Sequence, residues 1–540
     1  MVASLIDDDE VAERNTIVLV DGQKTRILGE AMEVIQQDIF QSGGLLVRLT
    51  FAGNMVSLTP ISGEAVDAML NNRGAFKKWA FVRGRGGQER SRELVDADSP
   101  PWLAKQIVGL QRWDSVREIE SISYVPFIRE DGTVGGKKRG YDAESRCWVA
   151  TSTDVEIPDF PTETQANEAK EKILQIVDEF PFSHEAGRSV YLATVLTIIG
   201  RRFIRGSVPI TVIEAAAPGT GKTLLASLIG IMGTGQPPGM ANGDIGDTEM
   251  EKFLTAFLRT GNQVLVFDNV AKTLGGPVIN RFVTAGNWTS RLLGKSESLC
   301  LPNNTVAIMA ANNPKVASDT ARRSLQIRLV AKCENPEERE FTIKNLKGHV
   351  TELAPELAAA ACTIIRWHFT KGCPEPTPNP VTHTDDDGPI SPAIARPLGG
   401  FEEWSKVVRW SVVALGMPDP ATTTESIREL DEKAMCRKDF IRAWANWASG
   451  FEGNCRQFID AVYHTGLKDS EQLRDMRNAI DDLATEKTSD TTQPSPSPSA
   501  SALGYALRYC KDMVIGGFRV RKDGTGREGT KWRLEKVNRA

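Results

Sequence analysis

Residues Pro218-Gly219-Thr220-Gly221-Lys222-Thr223 set small side chains, an ammonium and a hydroxyl in the order needed to hold a polyphosphate. They follow the β-branched run Ile210-Thr211-Val212-Ile213 and lead into Leu224-Leu225, which opens a predicted helix. Such an anion is met without bulk when a loop turns its backbone N–H groups inward and the next helix points its positive end at the charge. Lys222 would reach the β- and γ-phosphates and Thr223 would ligate Mg²⁺, with Pro218, Gly219, Thr220, Gly221 and Leu224 completing the cradle. Ala216 stands where the usual Gly-x4-Gly-Lys-Ser/Thr pattern begins with glycine. The expected cofactors are ATP and Mg²⁺.

Two further apolar runs end in polar residues. Gln263-Val264-Leu265-Val266-Phe267-Asp268-Asn269 reads as a strand whose terminal Asp268 would share the metal with Thr223. Asn269 can orient a water molecule but cannot take its proton; Glu249 or Glu251 could supply that carboxylate, and each reads equally well as a solvated helix residue. Thr305-Val306-Ala307-Ile308-Met309-Ala310-Ala311-Asn312-Asn313-Pro314 is the second run, and Asn312 beside Asp268 could hydrogen-bond the γ-phosphate or the attacking water. Arg322 and Arg323 follow; their planar charge could stabilise phosphoryl transfer in a neighbouring subunit, or could be a salt-bridged helix surface.

These residues need a scaffold that brings strand ends together. Residues 205 to 345 alternate β-rich runs with helical ones, the pattern of a parallel α/β sheet. The predicted organisation is an N-terminal α+β domain at 1–155, the phosphate-binding core with its preceding helices at 156–345, and a helical domain at 346–488. A flexible linker at 489–501, rich in Ser, Thr and Pro, and a helix-plus-hairpin module at 502–540 resembling a winged helix complete it. A chain of 540 residues, 41% hydrophobic and 25% charged, has ample core for this plan. Its eight scattered cysteines form no Cys-x-x-Cys pair, which disfavours zinc and fits a reducing cytoplasm. No apolar run is long enough for a membrane span, so a membrane partner is not expected.

The formal net charge of −5 does not mark a nucleic-acid protein, but it hides local patches. Residues 501 to 540 hold ten Lys/Arg against four acids, with Phe518 and Trp532 among them. Arg519, Arg521 and Lys522 on the predicted hairpin are candidate contacts to duplex DNA. Between the Asp268 and Asn312 strands, residues 287–298 read as a hairpin with Lys295 at its tip, which is either a solvated lysine or a contact to the backbone of single-stranded DNA.

The order of phosphate loop, Asp-tipped strand, Asn-tipped strand and arginines resembles the AAA+ ATPase core. Phe267-Asp268-Asn269-Val270, Ala310-Ala311-Asn312-Asn313 with Asp319-x-x-Arg322-Arg323, Gly400-Phe401-Glu402-Glu403-Trp404-Ser405 and Leu415-Gly416-Met417-Pro418-Asp419-Pro420 are similar to the ATPase portion of phage and mobile-element primase-helicases, akin to superfamily 3 helicases. The resemblance covers most of residues 160 to 540. Pro100-Pro101-Trp102-Leu103-Ala104, Asp131-Gly132 and Gly140-Tyr141-Asp142 extend it toward the N-terminus, and no primase domain is recognisable. It implies an AAA+-type P-loop ATPase core with a C-terminal winged helix, a homo-oligomeric ring, expected as a hexamer, moving along single-stranded DNA in replication, and arginines acting in trans. It also implies a glutamate where Asn269 stands and, since related ring motors carry a pore loop at the 287–298 hairpin, the DNA contact for Lys295. An AAA+ loader or DNA-dependent switch without processive unwinding, or a non-enzymatic ATP-dependent scaffold, either of them in antiviral defence, are the alternatives.

Overall fold

The computed structural model describes residues 16–537 except 54, 83–89, 111, 216–218, 269–272, 292–297, 313, 331–340, 377–383, 386–387, 390–397, 425–426, 428–431, 464–469, 485–498 and 527–528. The chain forms two compact units, Met1–Pro314 with Arg323–Thr423, and Lys315–Arg322 with Thr424–Ala540.

At the centre of the first unit five parallel strands form one sheet: β1 (Ile210–Ala215), β2 (Gly239–Asn242), β3 (Val264–Asp268), β4 (Val306–Asn312) and β5 (Ser324–Leu329), in the spatial order β2-β3-β4-β1-β5. All six residues of β1 are buried, as are the first six of β4. A parallel sheet covered on both faces asks for that continuous apolar run rather than an alternating one. The covering helices include α1 (Glu163–Gln175), α2 (Glu185–Ile199), α3 (Lys222–Thr234) and α4 (Asp247–Leu258), with α5 (Leu346–Thr370) packed on α1 and α3. A capping box closes α1: the Thr162 hydroxyl accepts from Gln165 N, and the Gln165 side chain accepts from Thr162 N. Ile213, Val266 and Ile308 from the sheet share one buried core with Leu196, Leu228 and Leu357 from the helices.

Parallel register lines up the strand ends. Ala215 lies opposite Asn312, and Asn242 opposite Asp268, so β1, β2, β3 and β4 all finish at one edge. In open α/β sheets that carboxyl edge is where ligands bind.

The region before residue 150 mixes short sheets and helices. One sheet joins Thr16–Leu19, Ala75–Val82 and Ser91–Ala97; another joins Phe40–Ser42, Leu45–Ala52 and Met55–Pro60. The helix expected at Pro100-Pro101 spans Pro101–Gly109 with proline in its first turn, where a missing N–H costs nothing. Residues 121–124 fasten this region to the core: Ile122 N donates to Gly261 O, Gln263 Nε2 to Ile122 O, and Tyr124 N to Thr234 O.

Two buried polar links tie the later helical segment to the core. Trp404 Nε1 donates to Thr197 Oγ1 at 2.8 Å. Arg409 binds Asp419 through Nε at 2.9 Å and Nη2 at 2.6 Å, while Asp419 Oδ1 also accepts from Ala421 N. Trp404 and Asp419 belong to the Gly400–Ser405 and Leu415–Pro420 stretches that stood out in the sequence, and the Arg409–Asp419 pair holds a turn with its charges matched out of water.

The second unit differs from the expected layout. Helix α9 (Ala500–Cys510) and strands β7 (Val514–Ile515), β8 (Phe518–Gly526) and β9 (Gly529–Lys536) do not stand apart as a 502–540 module. They share one core with α6 (Glu432–Ala448), α7 (Cys455–Tyr463) and α8 (Glu471–Ala484), through Trp444, Phe458, Met476, Leu503, Val520 and Trp532. A short strand, β6 (Gly453–Asn454), pairs with β9, giving the sheet order β6-β9-β8-β7. Most of the expected 489–501 linker lies outside the described residues; α9 starts within its last residues, with the Ser499 hydroxyl accepting from Ala502 N. Helix and hairpin carry too few apolar residues for a core of their own, so they complete one begun by the preceding helices.

Candidate functional site

Helix α3 starts without the usual cap. Its N-cap is Gly221, held at φ 97°, no side chain accepts from its first turn, and that turn contains no acid. Gly219 also has positive φ, at 76°. Those backbone angles suit glycine and let the chain approach a bulky anion. The amino end and positive pole of α3 lie at the carboxyl edge of the sheet, the arrangement that binds phosphate.

Five of the expected residues meet at that edge. Thr223 Oγ1 donates to the Asp268 carboxylate at 3.2 and 3.3 Å. Lys222 Nζ donates to Asn312 Oδ1 at 2.5 Å and lies 3.5 Å from Thr220 Oγ1. Lys222 is only 9% exposed, and burial pushes its pKa down while the Asp268 carboxylate opposes the shift. A buried ammonium beside a carboxylate and an amide oxygen is a strong local donor in a poorly solvated place, the setting in which a phosphate oxygen makes a good acceptor. The cluster therefore offers a cation, two oxygens with metal-binding chemistry, an amide and a ring of N–H donors within one strand-to-helix junction. That donor set fits a magnesium-bound polyphosphate: hard oxygens for the metal, nitrogen donors for the anion.

Other candidates fall elsewhere. Pro218, Asn269 and Lys295 lie outside the described residues, although the strands flanking Lys295, Asn287–Arg291 and Ser298–Pro302, form an antiparallel hairpin. Leu224 is half-buried in the first turn of α3. Arg323 sits at the opposite edge of the sheet from the loop: its carbonyl accepts from Ile210 N, at the start of β1. About 17 Å of strand separates the two edges, so Arg323 does not complete the site of its own chain. Arg322, in the second unit, is ion-paired with Asp319 at 2.6 Å. Glu249 pairs with Lys252, and Glu251 accepts from Ser290 Oγ at 3.1 Å and faces Arg281 at 3.1 Å. Both carboxylates are thus tied to neighbours on α4, on the helix Pro277–Thr284 and on the hairpin.

On the second unit, Arg521 is held by Glu535 at 2.7 Å and Asp512 at 2.9 Å. Its charge is largely spent within the hairpin. Arg519 is half-buried opposite Glu535, and Lys522 is exposed opposite Trp532.

Two polar residues at the junction escaped the sequence reading. Asn242 ends β2 beside Asp268, and Gly243 N donates to the Asp268 carbonyl. Gly239-Met240-Ala241-Asn242 lacks β-branched residues, so nothing announces a strand there. Glu214, the penultimate residue of β1, is 5% exposed; burial holds its carboxyl above the usual range, opposed by Arg328 at 3.5 Å. A single acid inside an apolar run was the available signal.

No family model matches this chain, and no curated protein matches it in sequence. Among solved structures it is similar to the A-form apo structure of the NrS-1 C-terminal region, with TM-score 0.40 and 11% identity over 94% of this chain and 98% of that one. It is also similar to SCCmec type IV Cch, an active helicase, with TM-score 0.30 and 10% identity over 86% and 99%. For JCV helicase the TM-score is 0.22 and the identity 12%, over 50% and 73%. Likeness at this level assigns neither family nor function.

Proposed function

We propose that this chain is an ATP-driven ring motor of the AAA+ type, related to superfamily 3 helicases, that moves on single-stranded DNA in the replication of a phage or mobile element. The observation that carries the reading is the Thr223–Asp268 pair joined to Lys222–Asn312 at the carboxyl edge of a parallel sheet. Magnesium-ATP, when bound, supplies the phosphoanhydride whose cleavage drives movement. Thr223 and Asp268 would hold the metal. Lys222 and the N–H groups of residues 219 to 224 would hold the phosphates, and Asn312 would orient a water or a γ-oxygen.

The remote position of Arg323 supports a site completed by a neighbouring subunit and hence a homo-oligomer, with a hexamer as the expected ring. The hairpin at 287–302 supports a strand-gripping role for Lys295. The order β6-β9-β8, with α9 just ahead of the hairpin, supports a winged helix that starts near residue 432, with Arg519 and Lys522 as its contacts to duplex DNA. Among the described residues no helix is long and apolar enough to cross a membrane.

A second reading, a DNA-dependent loader or switch, is favoured by one observation: Glu249 and Glu251, the two carboxylates considered as base, are paired with Lys252 and with Arg281 and Ser290. ATP turnover with and without oligonucleotide, run beside displacement of a labelled strand, tests both. Unwinding supports the motor, DNA-stimulated turnover alone supports the switch, and absence of turnover defeats both.

A further inference from the structure

The strands Ala75–Val82 and Ser91–Ala97 pair antiparallel along their whole length, from Phe76 opposite Ala97 to Val82 opposite Ser91. Their third neighbour, Thr16–Leu19, reaches only as far as Lys78. Beyond it, residues 79–82 and 91–94 continue as a two-stranded ribbon. Directly opposed residues share a face, so Trp79 with Leu94 and Phe81 with Arg92 line one side.

That side is unusual for a structural ribbon. Phe81 is 72% exposed, Trp79 46% and Leu94 39%. Two aromatic rings side by side in water contribute nothing to a core, and two-stranded ribbons gain little stability of their own. Basic groups share that face: Arg92 lies opposite Phe81 and Lys77 precedes Trp79 by two residues, with Asp96 opposite Lys77 as the acid on this side, while Lys78 and Glu93 belong to the other face. The Arg92 guanidinium lies 5.0 Å from the centre of the Trp79 ring, which leaves the ring's second face open. Protein–protein interface cores are depleted of such charges, and a second copy docked here would set the same cations against each other. Rings interleaved with cations are the chemistry that takes stacked bases and phosphates together.

We propose that this ribbon is a second binding site for single-stranded DNA, with bases stacking on Trp79 and Phe81 and phosphates meeting Arg92 and Lys77 on the same face. Residues two apart on a strand lie about 6.6 Å from each other, a spacing that suits consecutive splayed bases rather than a stacked pair. The motor reading assigns no task to this part of the chain. The ribbon would hold the strand outside the sheet's catalytic edge, with a salt-sensitive grip and no base preference. Only the choice of DNA over RNA rests on the function proposed above.

The test uses the full chain, without nucleotide, and a fluorescent oligo-dT strand followed by anisotropy at two salt concentrations. A Trp79→Ala/Phe81→Ala variant removes exposed rings and no core contact, and its unfolding midpoint is recorded as a control. Expected are binding weaker by about tenfold or more, near-normal affinity for Trp79→Phe, and a cross-link from 5-iodouracil oligonucleotide mapping to the peptide with Trp79 and Phe81. Unchanged affinity with cross-links only elsewhere overturns the proposal. So does loss of self-association or of vesicle binding in the double variant at unchanged DNA affinity. Equal or tighter binding of the matching RNA strand overturns the choice of DNA. ATP turnover of the wild-type chain is measured in the same samples. A chain that hydrolyses nothing yet loses DNA through the double variant refutes the motor and keeps the ribbon; a working motor with an indifferent ribbon does the reverse.

Discussion

Replacing Lys222 by alanine separates two roles that the same atom could have. In the folded chain its ammonium is nearly buried and donates to Asn312 Oδ1 at 2.5 Å. If that bond were the purpose of the residue, its removal would destabilise the fold by about 1.5–3 kcal/mol, the usual worth of a hydrogen bond to a charged group. Burial works against it, since it pushes the lysine's pKa down and so disfavours the charge where it stands. The two effects offset, and Lys222→Ala should move the unfolding free energy of the ligand-free chain by less than about 1 kcal/mol. The lowered pKa ties this contribution to pH: between the folded-state and unfolded values the unfolded chain holds the extra proton, so stability from this group rises with pH across that window. Nucleotide binding should respond quite differently. Two charge-assisted bonds to phosphate are worth about 3–5 kcal/mol, hence a loss of two to three orders of magnitude in affinity, on the order of tenfold per 1.4 kcal/mol. A fluorescent ATP analogue measures it directly. Thermal unfolding provides a second readout, because ligand at about 100 times its Kd adds about 2.7 kcal/mol, an upward shift the variant should lack. Affinity within about threefold of wild type, or a variant that fails to fold without ligand, would refute the reasoning, since Lys222 would then be a structural residue.

The other expectations concern charge placement. Arg323→Ala should bind the ATP analogue normally yet lose turnover by about a thousandfold or more, and mixing it with Lys222→Ala chains should restore activity in part if the two residues act across a subunit boundary. Normal turnover by the arginine variant alone would end the trans assignment. His368 is buried, with Nε2 3.0 Å from the Lys406 carbonyl, and burial, reinforced by Lys371, pushes its pKa down to about 4. The unfolded chain therefore takes up this proton first as pH falls from 6.5 toward 4, and the fold loses up to about 3 kcal/mol in that window. His368→Asn should flatten that part of the curve of unfolding temperature against pH relative to wild type. Asp419→Ala leaves Arg409 charged and buried, 2% exposed; a loss of about 3–5 kcal/mol in urea titrations is expected, whereas a change below about 1 kcal/mol would mean water reaches the arginine.

Much of the site could be read from spacing because its parts are local. A loop of fixed length between a β-branched strand and a helix brings Lys222 and Thr223 to one place regardless of the rest of the fold. Asp268 and Asn312 end apolar runs, and parallel register sets such ends side by side. What could not be read depended on distant partners. Nothing in Gly239–Asn242 marks a strand, because its place is dictated by pairing with β3. Arg521 looks like a free cation in sequence, and only the hairpin register sets Glu535 within its reach. Trp79 and Phe81 alternate with smaller residues as a half-buried strand would; that they face water follows because the helices pack on the other face of the sheet, against Phe76. The Ser- and Pro-rich stretch near residue 490 resembles a boundary because composition cannot reveal that one core spans both sides of it.

That shared core in the second unit governs the order in which the chain can be assembled. Strand β6 at Gly453–Asn454 finds its partner in β9, and Trp444 and Phe458 find Trp532 and Val520, only after residues 518–536 have been translated. Until then α6, α7 and α8 leave the ribosome with an unfinished apolar face, and the closing contacts must bridge a loop of roughly 80 residues. Early termination upstream of β8 should therefore yield a sticky, chaperone-bound intermediate in place of a shortened but sound protein. A single protease cut within 485–498 after folding should leave both fragments held together until denaturant is added.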